Sequence, residues 1–272
     1  MTSGTGTFTT SDGVDLFTRT VSAGTPRHEL LLVHGIGEHS GRWEHQAELF
    51  AANGANVTMF DLRGHGRSGG PELDATSIQR FQDDIAEVAA STVSTTGRPW
   101  VLMGHSFGGM LCAGYLIDKR EPIPNIAVLS APALDDGLPP ALKSVAKLLG
   151  GFAGGVRVDN TINGEHLSRD PAVGEKYQAD ELVRTKGTLR LGKITFAEMT
   201  RLRARADEIA LPTLVYHGAD DVLVPTSASA PLAASPGVER RVLPGLRHET
   251  HNEPEGDQVI GDVIDWINQK LH

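Results

Sequence analysis

The sequence predicts an α/β fold in which helices cover both faces of a mostly parallel central sheet. Short apolar runs recur along the chain, helical patterns separate most of them, and the runs are apolar throughout, as expected of strands buried between two helical layers. The predicted strands are Glu29–Val33, Asn56–Phe60, Trp100–Met103, Ile126–Ser130, Pro212–His217 and Val238–Leu243, after a hairpin over Thr7–Thr10 and Val14–Val21. The predicted helices are Glu44–Asn53, Ser77–Val93, Phe107–Asp118 and Asp257–Leu271.

One stretch departs from this alternation. About 80 residues between Ser130 and Pro212 contain no obvious strand. Within this stretch Ala141–Phe152 carries apolar residues on one helical face, and polar, helix-like pieces follow. We interpret the stretch as a mainly helical insertion after one strand and not as an independent fold, so the chain is one domain with an insertion.

The composition excludes several classes of function. The 272 residues include 34 acidic and 25 basic side chains, a net charge of −9, which disfavours nucleic-acid binding because that affinity depends on neutralising phosphates. Cys112, the single cysteine, can form neither an internal disulfide nor a cysteine zinc site. No apolar run approaches the ~18 residues that span a bilayer. The first 25 residues lack the charged and apolar regions of an export signal, so we expect a cytoplasmic protein.

The most specific motif is Gly104–Gly109, which reads Gly-His-Ser-Phe-Gly-Gly. It follows a predicted strand and opens a predicted helix, which is the context that the G-x-S-x-G motif requires. The flanking glycines leave room in a sharp turn that presents Ser106 at the carboxyl edge of the sheet and at the positive end of a helix. Because a serine hydroxyl is a weak nucleophile at neutral pH, Ser106 needs a base, and the base needs an orienting acid.

The acid and the base are expected in loops that follow later strands, in the chain order Ser, Asp, His. One such loop offers Asp220 and Asp221, and we favour Asp221 because G-x-x-D is the usual spacing after that strand. A later loop offers His248, with His251 as the alternative three residues further on. The sequence therefore predicts Ser106, Asp221 and His248 as a catalytic triad.

A Gly-rich loop, His34–His39, follows the first parallel strand. Attack by Ser106 on an acyl carbonyl would need two N–H donors for the developing oxyanion. We expect one donor to be the backbone N–H of Phe107, next to the nucleophile, and the other to be the backbone N–H of Ile36 in this loop.

Two further patterns are not interpreted as ligand sites. Asp61–Gly69 contains G-x-G-x-x-G, but Gly70 and Pro71 follow where a phosphate-binding helix should continue. We interpret this segment as a structural turn held by Asp61 and Arg63. The eleven histidines include no HExxH pattern, so we expect neither a metal nor a cofactor.

Taken together, these motifs resemble the monoacylglycerol lipases, which are α/β-hydrolases with a lid. Many hydrolases share the G-x-S-x-G motif, whereas the HGxGEH loop with DxRGHGxS is more specific to this branch. The resemblance covers nearly the whole chain, through His34–Trp43, Asp61–Ser68, Gly104–Gly109, Leu129–Ala133, Ser168–Pro171, His217–Asp221 and His248–Pro254.

The resemblance implies a substrate and a reaction. In such lipases a small polar pocket receives the glycerol end of the substrate, and Arg42, Tyr177 and His251 occupy the matching positions. The predicted reaction is hydrolysis of a monoacylglycerol to fatty acid and glycerol through an acyl-serine intermediate. A broad-specificity carboxylesterase, a lysophospholipase and a peptidase remain alternatives. A ligand-binding receptor that retains the triad with little turnover is an alternative of another class.

The resemblance also implies that the insertion, residues 132–206, is a cap over the active site, with residues 1–131 and 207–272 forming the hydrolase core. The cap holds 12 basic and 9 acidic residues, against 13 and 25 in the core, and seven of its basic residues lie within Arg184–Arg205. We hypothesise that the cap contacts membranes or micelles transiently, through this charge and the apolar face of Ala141–Phe152.

Overall fold

The computed structural model describes residues 1–135, 153–160 and 162–271. The helix predicted over Ala141–Phe152 lies outside these ranges. The strands in the described ranges are β1 (Thr2–Thr9), β2 (Asp15–Ser22), β3 (His28–Val33), β4 (Ala55–Phe60), β5 (Trp100–His105), β6 (Ile126–Ser130), β7 (Arg157–Asp159), β8 (Lys186–Thr188), β9 (Thr213–Gly218) and β10 (Val238–Leu243).

The α-helices in the same ranges are α1 (Glu44–Ala52), α2 (Ile78–Ser91), α3 (Phe107–Ile117), α4 (Pro171–Ala179), α5 (Leu189–Ala204) and α6 (Gly256–Leu271). The four helices predicted from the sequence are present, with ends that differ by at most two residues. Across the described part of the chain, we find no helix that is both long enough and apolar enough to cross a bilayer.

Eight strands form one sheet in the order β1-β2-β4-β3-β5-β6-β9-β10. The pairs β1–β2 and β2–β4 are antiparallel, and all pairs from β4 to β10 are parallel. The β1–β2 hairpin turns at Gly13, whose φ of +82° glycine adopts without steric cost. These pairings confirm the predicted mostly parallel sheet.

Helices cover both faces of the sheet because the central strands are apolar throughout. In β3, Leu30 and Leu32 pack into one core together with residues of α1 and α6. Leu31 and Val33 pack into a second core with residues of α2 and α3. Since successive side chains of a strand point to opposite faces, an uninterrupted apolar run supplies both cores at once.

The inserted segment contains two strands that the sequence analysis did not predict. β7 and β8 pair in an antiparallel manner over three residues each, which is too short for an alternating pattern to be recognised. Two helices follow capping side chains. Asp170 accepts the N–H of Ala172 at the start of α4, and Thr188 accepts the N–H of Leu191 at the start of α5. The described part of the insertion is therefore mainly helical, as predicted.

Most of the basic side chains of Arg184–Arg205 pair with acidic residues outside the insertion. The hypothesis that this basic segment contacts lipid did not include such pairing. The four arginine side chains remain partly exposed, so each pair is weak and the set matters more than any member. The pairs are Arg184–Glu72 (3.2 Å), Arg190–Asp74, Arg201–Asp118 (2.8 Å) and Arg205–Asp118 (2.7 Å).

The carboxyl ends of the parallel strands meet at one edge of the sheet, where ligands bind in open α/β folds. The loop after β3 carries Ile36, the turn after β5 carries Ser106, and the loops after β9 and β10 carry Asp221 and His248. Topology alone thus brings together residues that are up to 212 positions apart in the chain.

The glycines Gly174 and Gly261 give opposite predictions for the same substitution. A Cβ atom at Gly174, inside α4, would lie 2.8 Å from the carbonyl carbon of Gly164, whereas a Cβ at Gly261, inside α6, meets nothing within 4 Å. Gly261→Ala should raise the free energy of unfolding by about 0.5–1 kcal/mol. Gly174→Ala should lower it by about 1–3 kcal/mol, because the clash outweighs the gain in helix propensity. Urea unfolding of both variants checks this, and equal shifts would contradict it.

Candidate active site

Ser106 lies in a strained turn between β5 and α3. Its φ and ψ are +53° and −115°, a conformation that non-glycine residues rarely adopt. A Cβ atom on Gly104 would lie 2.5 Å from the Gly108 carbonyl oxygen, and one on Gly108 would lie 2.3 Å from the Val33 carbonyl oxygen. Both glycines are needed because α3 begins in direct backbone contact with the sheet, and this contact positions Ser106.

Ser106, His248 and Asp221 form one hydrogen-bonded chain. Ser106 Oγ is 2.9 Å from His248 Nε2, and His248 Nδ1 is 2.6 Å from Asp221 Oδ2. All three side chains are buried. An ionised Asp221 requires His248 Nδ1 to donate, which leaves Nε2 free to accept the Ser106 proton. The geometry therefore allows proton transfer from the serine hydroxyl to the imidazole.

Asp221, and not its neighbour Asp220, contacts His248. The backbone N–H groups of Leu223 and Val224 each donate to Asp221 Oδ1 at 2.9 Å, so the turn after Asp221 holds the carboxylate from behind. Asp220 is exposed. The spacing of Asp221 from the end of β9 thus decides which carboxylate faces the histidine.

The surroundings of His248 and Asp221 favour the charged form of each side chain. Burial of His248 favours the neutral ring, but the Asp221 carboxylate and its hydrogen bond outweigh burial and raise the pKa of His248 above its ordinary value. Burial likewise opposes ionisation of Asp221, yet His248 and the hydrogen bonds to its oxygens hold the pKa of Asp221 well below its usual range. Asp221 is therefore a carboxylate that favours protonation of His248.

The Gly-rich loop after β3 is fixed by two buried side chains. Glu38 Oε1 accepts the backbone N–H of Gly35 at 2.6 Å. His34 Nε2 accepts the backbone N–H of Leu62 at 2.9 Å, and burial lowers the pKa of His34 to about 4, which keeps its ring neutral. The loop is thus held against the loop that follows β4.

The two predicted oxyanion donors border the space in front of Ser106. Ile36 and Phe107 line the same pocket as Ser106 and His248. Within the described residues, the backbone N–H groups of Ile36 and Phe107 donate to no acceptor. Two free N–H groups on opposite segments suit a negatively charged oxygen at this point.

Arg42 is held in a buried cluster with two carboxylates. Its Nη1 donates to Glu249 Oε1 at 2.6 Å and to Glu38 Oε2 at 2.9 Å, and its Nη2 donates to Glu249 Oε2 at 2.7 Å. The guanidinium also lies 4.9 Å from the ring centroid of Tyr177. Arg42 and Tyr177 both line a small pocket beside Ser106, of about 20 Å³, so the structure places these two predicted residues next to the nucleophile.

His251 lies elsewhere. Its ring stacks on Trp43 at 3.8 Å between centroids and meets His105 edge-on at 5.0 Å. The side chain is buried, which lowers the pKa of His251 to about 3, and it lines a different cleft from Ser106. His251 is therefore absent from the small pocket that Arg42 and Tyr177 line beside Ser106, but Arg42 and His251 both line the neighbouring cleft.

Ser106 and His248 also face a larger pocket of about 700 Å³. Its lining combines residues of loops that follow the central strands, such as Ile36 and Val222, with residues between Ala133 and Met199. The volume falls within the range of ligand-binding sites in proteins. Apolar side chains make up much of the lining, including Leu191, Phe196, Met199, Val222 and Val224.

The segment Asp61–Gly69 is a structural turn, as the sequence suggested. Asp61 Oδ1 accepts both the backbone N–H and the hydroxyl of Ser40, and Oδ2 accepts the backbone N–H of Arg67 at 2.9 Å. Arg63 forms a buried ion pair with Asp84. These contacts hold the turn, and none of them faces the pocket beside Ser106.

Sequence reasoning missed three residues that shape the site. His217 lies with its Nε2 3.1 Å from Asp221 Oδ2, and Glu38 and Glu249 hold Arg42. The available signal was their position within the motifs. Glu38 stands two positions after Ile36, His217 stands four before Asp221, and Glu249 follows His248. Spacing alone did not distinguish a supporting side chain from a solvated one.

An α/β-hydrolase fold that brings a serine, a histidine and an aspartate into this contact is the arrangement of a serine hydrolase. A family described as "Serine aminopeptidase, S33" matches residues 24–255. The chain therefore belongs to this hydrolase family, which agrees with the resemblance found in its motifs.

Individual relatives agree with this assignment. The chain is 39% identical over 257 residues to a monoacylglycerol lipase of Mycolicibacterium smegmatis, covering 90% of each protein. The crystal structure of a Paleococcus ferrophilus monoacylglycerol lipase superposes with a TM-score of 0.83 at 29% identity, over 94% of this chain and 99% of the other. A soluble variant of Saccharomyces cerevisiae monoglyceride lipase with a substrate analogue superposes with a TM-score of 0.89, over 100% of this chain and 96% of the other. Its 21% identity supports the fold alone.

The electrostatic bias of His248 predicts its titration. His248 should keep its second proton to a pH above the ordinary imidazole value of 6.5, and Asp221→Asn should move this midpoint to lower pH because the facing negative charge is removed. Imidazole NMR titration measures both midpoints. Asp220→Asn is the matched control, since the exposed Asp220 should leave the midpoint unchanged. An unchanged midpoint in Asp221→Asn would show that the carboxylate does not bias the ring.

Proposed function

We propose that the protein is a serine ester hydrolase, and specifically a monoacylglycerol lipase. The observation that carries the proposal is the buried chain of Ser106, His248 and Asp221 at the mouth of a largely apolar pocket of about 700 Å³. The lipase names of the relatives at 39% and 29% identity support the same substrate class.

In the proposed first step Ser106 Oγ attacks the ester carbonyl while His248 Nε2 takes its proton. Asp221 keeps the ring oriented and stabilises the imidazolium. The backbone N–H groups of Ile36 and Phe107 donate to the carbonyl oxygen as it becomes negative. The imidazolium then protonates the leaving glycerol oxygen, which leaves an acyl group on Ser106.

In the proposed second step water replaces glycerol beside His248. The ring takes a proton from the water as its oxygen attacks the acyl carbonyl, and the same two N–H groups hold the oxyanion. Collapse of this intermediate breaks the bond to Ser106 Oγ, which regains its proton from His248, and the fatty acid leaves.

The two pockets beside Ser106 differ in what they can hold: the larger has room for an acyl chain, whereas the smaller, of about 20 Å³, holds only a hydroxyl-sized group. The larger pocket is suited to the acyl chain, because its lining includes several branched and aromatic side chains. The smaller pocket borders Arg42 and Tyr177, and we propose that the glycerol end contacts it.

The same region argues against an aminopeptidase, the activity that the family description names. Binding a substrate α-ammonium group calls for an available carboxylate near the nucleophile. Glu38 and Glu249 are the carboxylates beside this pocket, and both are engaged by Arg42. Neither carboxylate is therefore free to pair with an ammonium group at this position.

We further propose the division into a core of residues 1–131 and 207–272 and a cap of residues 132–206. The support is that the acyl pocket takes one wall from each part. We also propose that the cap contacts lipid surfaces transiently. Val156, just before β7, is 51% exposed. Val158, on β7, is 44% exposed and also lines the pocket.

Replacing the nucleophile gives the first test. Ser106→Ala should lower the turnover of 1-monoacylglycerol by several orders of magnitude, because the attacking oxygen is lost while the fold is retained. A fluorophosphonate probe should label the wild type at Ser106 and leave the variant unlabelled. Wild-type turnover in Ser106→Ala would exclude this mechanism, and an unlabelled wild type would favour a receptor with little turnover.

A substrate panel tests the ester class. Monoacylglycerols should be hydrolysed with a higher kcat/KM than short p-nitrophenyl esters, lysophospholipid and aminoacyl amides, since their acyl chain occupies the larger pocket while a glycerol hydroxyl contacts the smaller one. A preference for amides would overturn the lipase assignment. A preference for lysophospholipid would reassign the head-group pocket while retaining the esterase.

Exposed valines test the contact with lipid. The double variant Val156→Ser/Val158→Ser should reduce co-sedimentation with liposomes, because less apolar surface is available to enter the interface. Val242→Ser is the matched control, since Val242 is 40% exposed on β10 and lies outside the pocket lining. Equal co-sedimentation of wild type, double variant and control would contradict contact through this part of the cap.

A further inference from the structure

A second histidine, His217, shares the carboxylate oxygen that faces His248. His217 is fully buried at the end of β9, and its Nε2 lies 3.1 Å from Asp221 Oδ2 and 2.8 Å from the carbonyl oxygen of Val224. Both neighbours are acceptors, so His217 Nε2 must carry a proton and donate. Asp221 Oδ2 therefore receives the N–H of His248 and shares the N–H of His217 with the carbonyl oxygen of Val224, which is the nearer acceptor.

The other nitrogen of His217 continues the chain away from the active site. His217 Nδ1 lies 2.9 Å from the hydroxyl of Ser229, which is fully buried. The Ser229 hydroxyl has one proton, and the nearest alternative acceptor is the carbonyl oxygen of Thr226 at 3.2 Å. A neutral His217 that donates through Nε2 needs a donor at Nδ1, and the shorter contact makes Ser229 that donor.

Arg240 lies at the far end of this chain. Its Nε donates to Ser229 Oγ at 3.1 Å, and its Nη2 donates to the carbonyl oxygen of Thr226 at 2.6 Å. In the described part of the chain Arg240 forms no ion pair, and burial lowers its pKa from the ordinary value. Arg240 is thus linked to Asp221 through Ser229 and His217.

We propose that Arg240, Ser229 and His217 are positioning residues that hold Asp221 for the proposed hydrolase through a continuous chain of hydrogen bonds. All donors of the chain point towards the carboxylate, so each bond polarises the next in the same direction. His217 adds a second N–H contact to Asp221 Oδ2, which limits rotation of the carboxylate as His248 gains and loses its proton. The inference rests on the proposed function.

Variants along the chain test it through the rate of Ser106 labelling by a fluorophosphonate, which needs no knowledge of the natural ester. Ser229→Ala and Arg240→Gln should slow labelling, and should lower kcat for monoacylglycerol by about tenfold to a hundredfold with KM unchanged, because a displaced acid misorients the base. His217→Phe should behave in the same way, while His217→Gln, which retains an N–H donor, should recover part of the rate.

Arg241→Gln is the matched control. Arg241 is the next residue on β10, and its guanidinium is paired with Glu239. The variant therefore removes the same charge without touching the hydrogen bonds that lead to Asp221. The low-field NMR signal of the His248 Nδ1 proton should shift in Ser229→Ala and in Arg240→Gln and stay in place in Arg241→Gln. A loss of stability alone would not shift this NMR signal, and it would not lower kcat while leaving KM unchanged.

The outcomes separate the two proposals. Suppose that Ser229→Ala, Arg240→Gln and His217→Phe are labelled as fast as Arg241→Gln and show the same His248 proton signal. The positioning role is then overturned, while the proposed hydrolase function stands. If only His217→Phe is slow, Ser229 and Arg240 are overturned as members of the chain. If wild-type Ser106 is not labelled at all, the proposed function itself fails.

Discussion

The backbone contact between the start of α3 and the end of β3 is the constraint on which the rest of the site depends. Gly108 has no side chain to separate the helix from the Val33 carbonyl oxygen, so the helix begins directly against the sheet. This approach places the N–H of Phe107 beside the loop that carries Ile36. It also maintains the unusual backbone of Ser106, a strain of about 1–3 kcal/mol that only a rigid surrounding structure sustains.

Buried charges determine how rigid those surroundings are. Arg42 joins the loop after β3, through Glu38, to the loop after β10, through Glu249. Loss of one partner in such a cluster leaves an uncompensated buried charge and typically costs about 3–5 kcal/mol. Asp221 is held in a similar way, by two backbone N–H groups on one oxygen and two histidines on the other. The site is thus built from loops that are tied to one another and not only to the sheet.

The sequence predicted most of the sheet and the members of the proposed triad because both depend on local patterns. Apolar runs define strands at any position, and a serine between two glycines after a strand has few other structural explanations. The surroundings of His251 depend on Trp43, which is distant in the motif order and stacks on the ring, so spacing alone could not predict its contacts. Strands β7 and β8 were missed because three residues carry too little pattern. The partners of Arg42 and the second histidine on Asp221 depend on side-chain directions, which spacing does not encode.

The inserted segment fits the rest of the chain only where its arginines meet matching carboxylates. Arg190 meets Asp74, Arg184 meets Glu72, and both Arg201 and Arg205 meet Asp118. An insertion transplanted from a relative would therefore leave these three carboxylates without their partners unless it brought matching cations. Grafting the segment onto another hydrolase would require Glu72, Asp74 and Asp118 to travel with it. The inserted segment and these three acidic residues are in this sense a single exchangeable unit, although they are far apart in the chain.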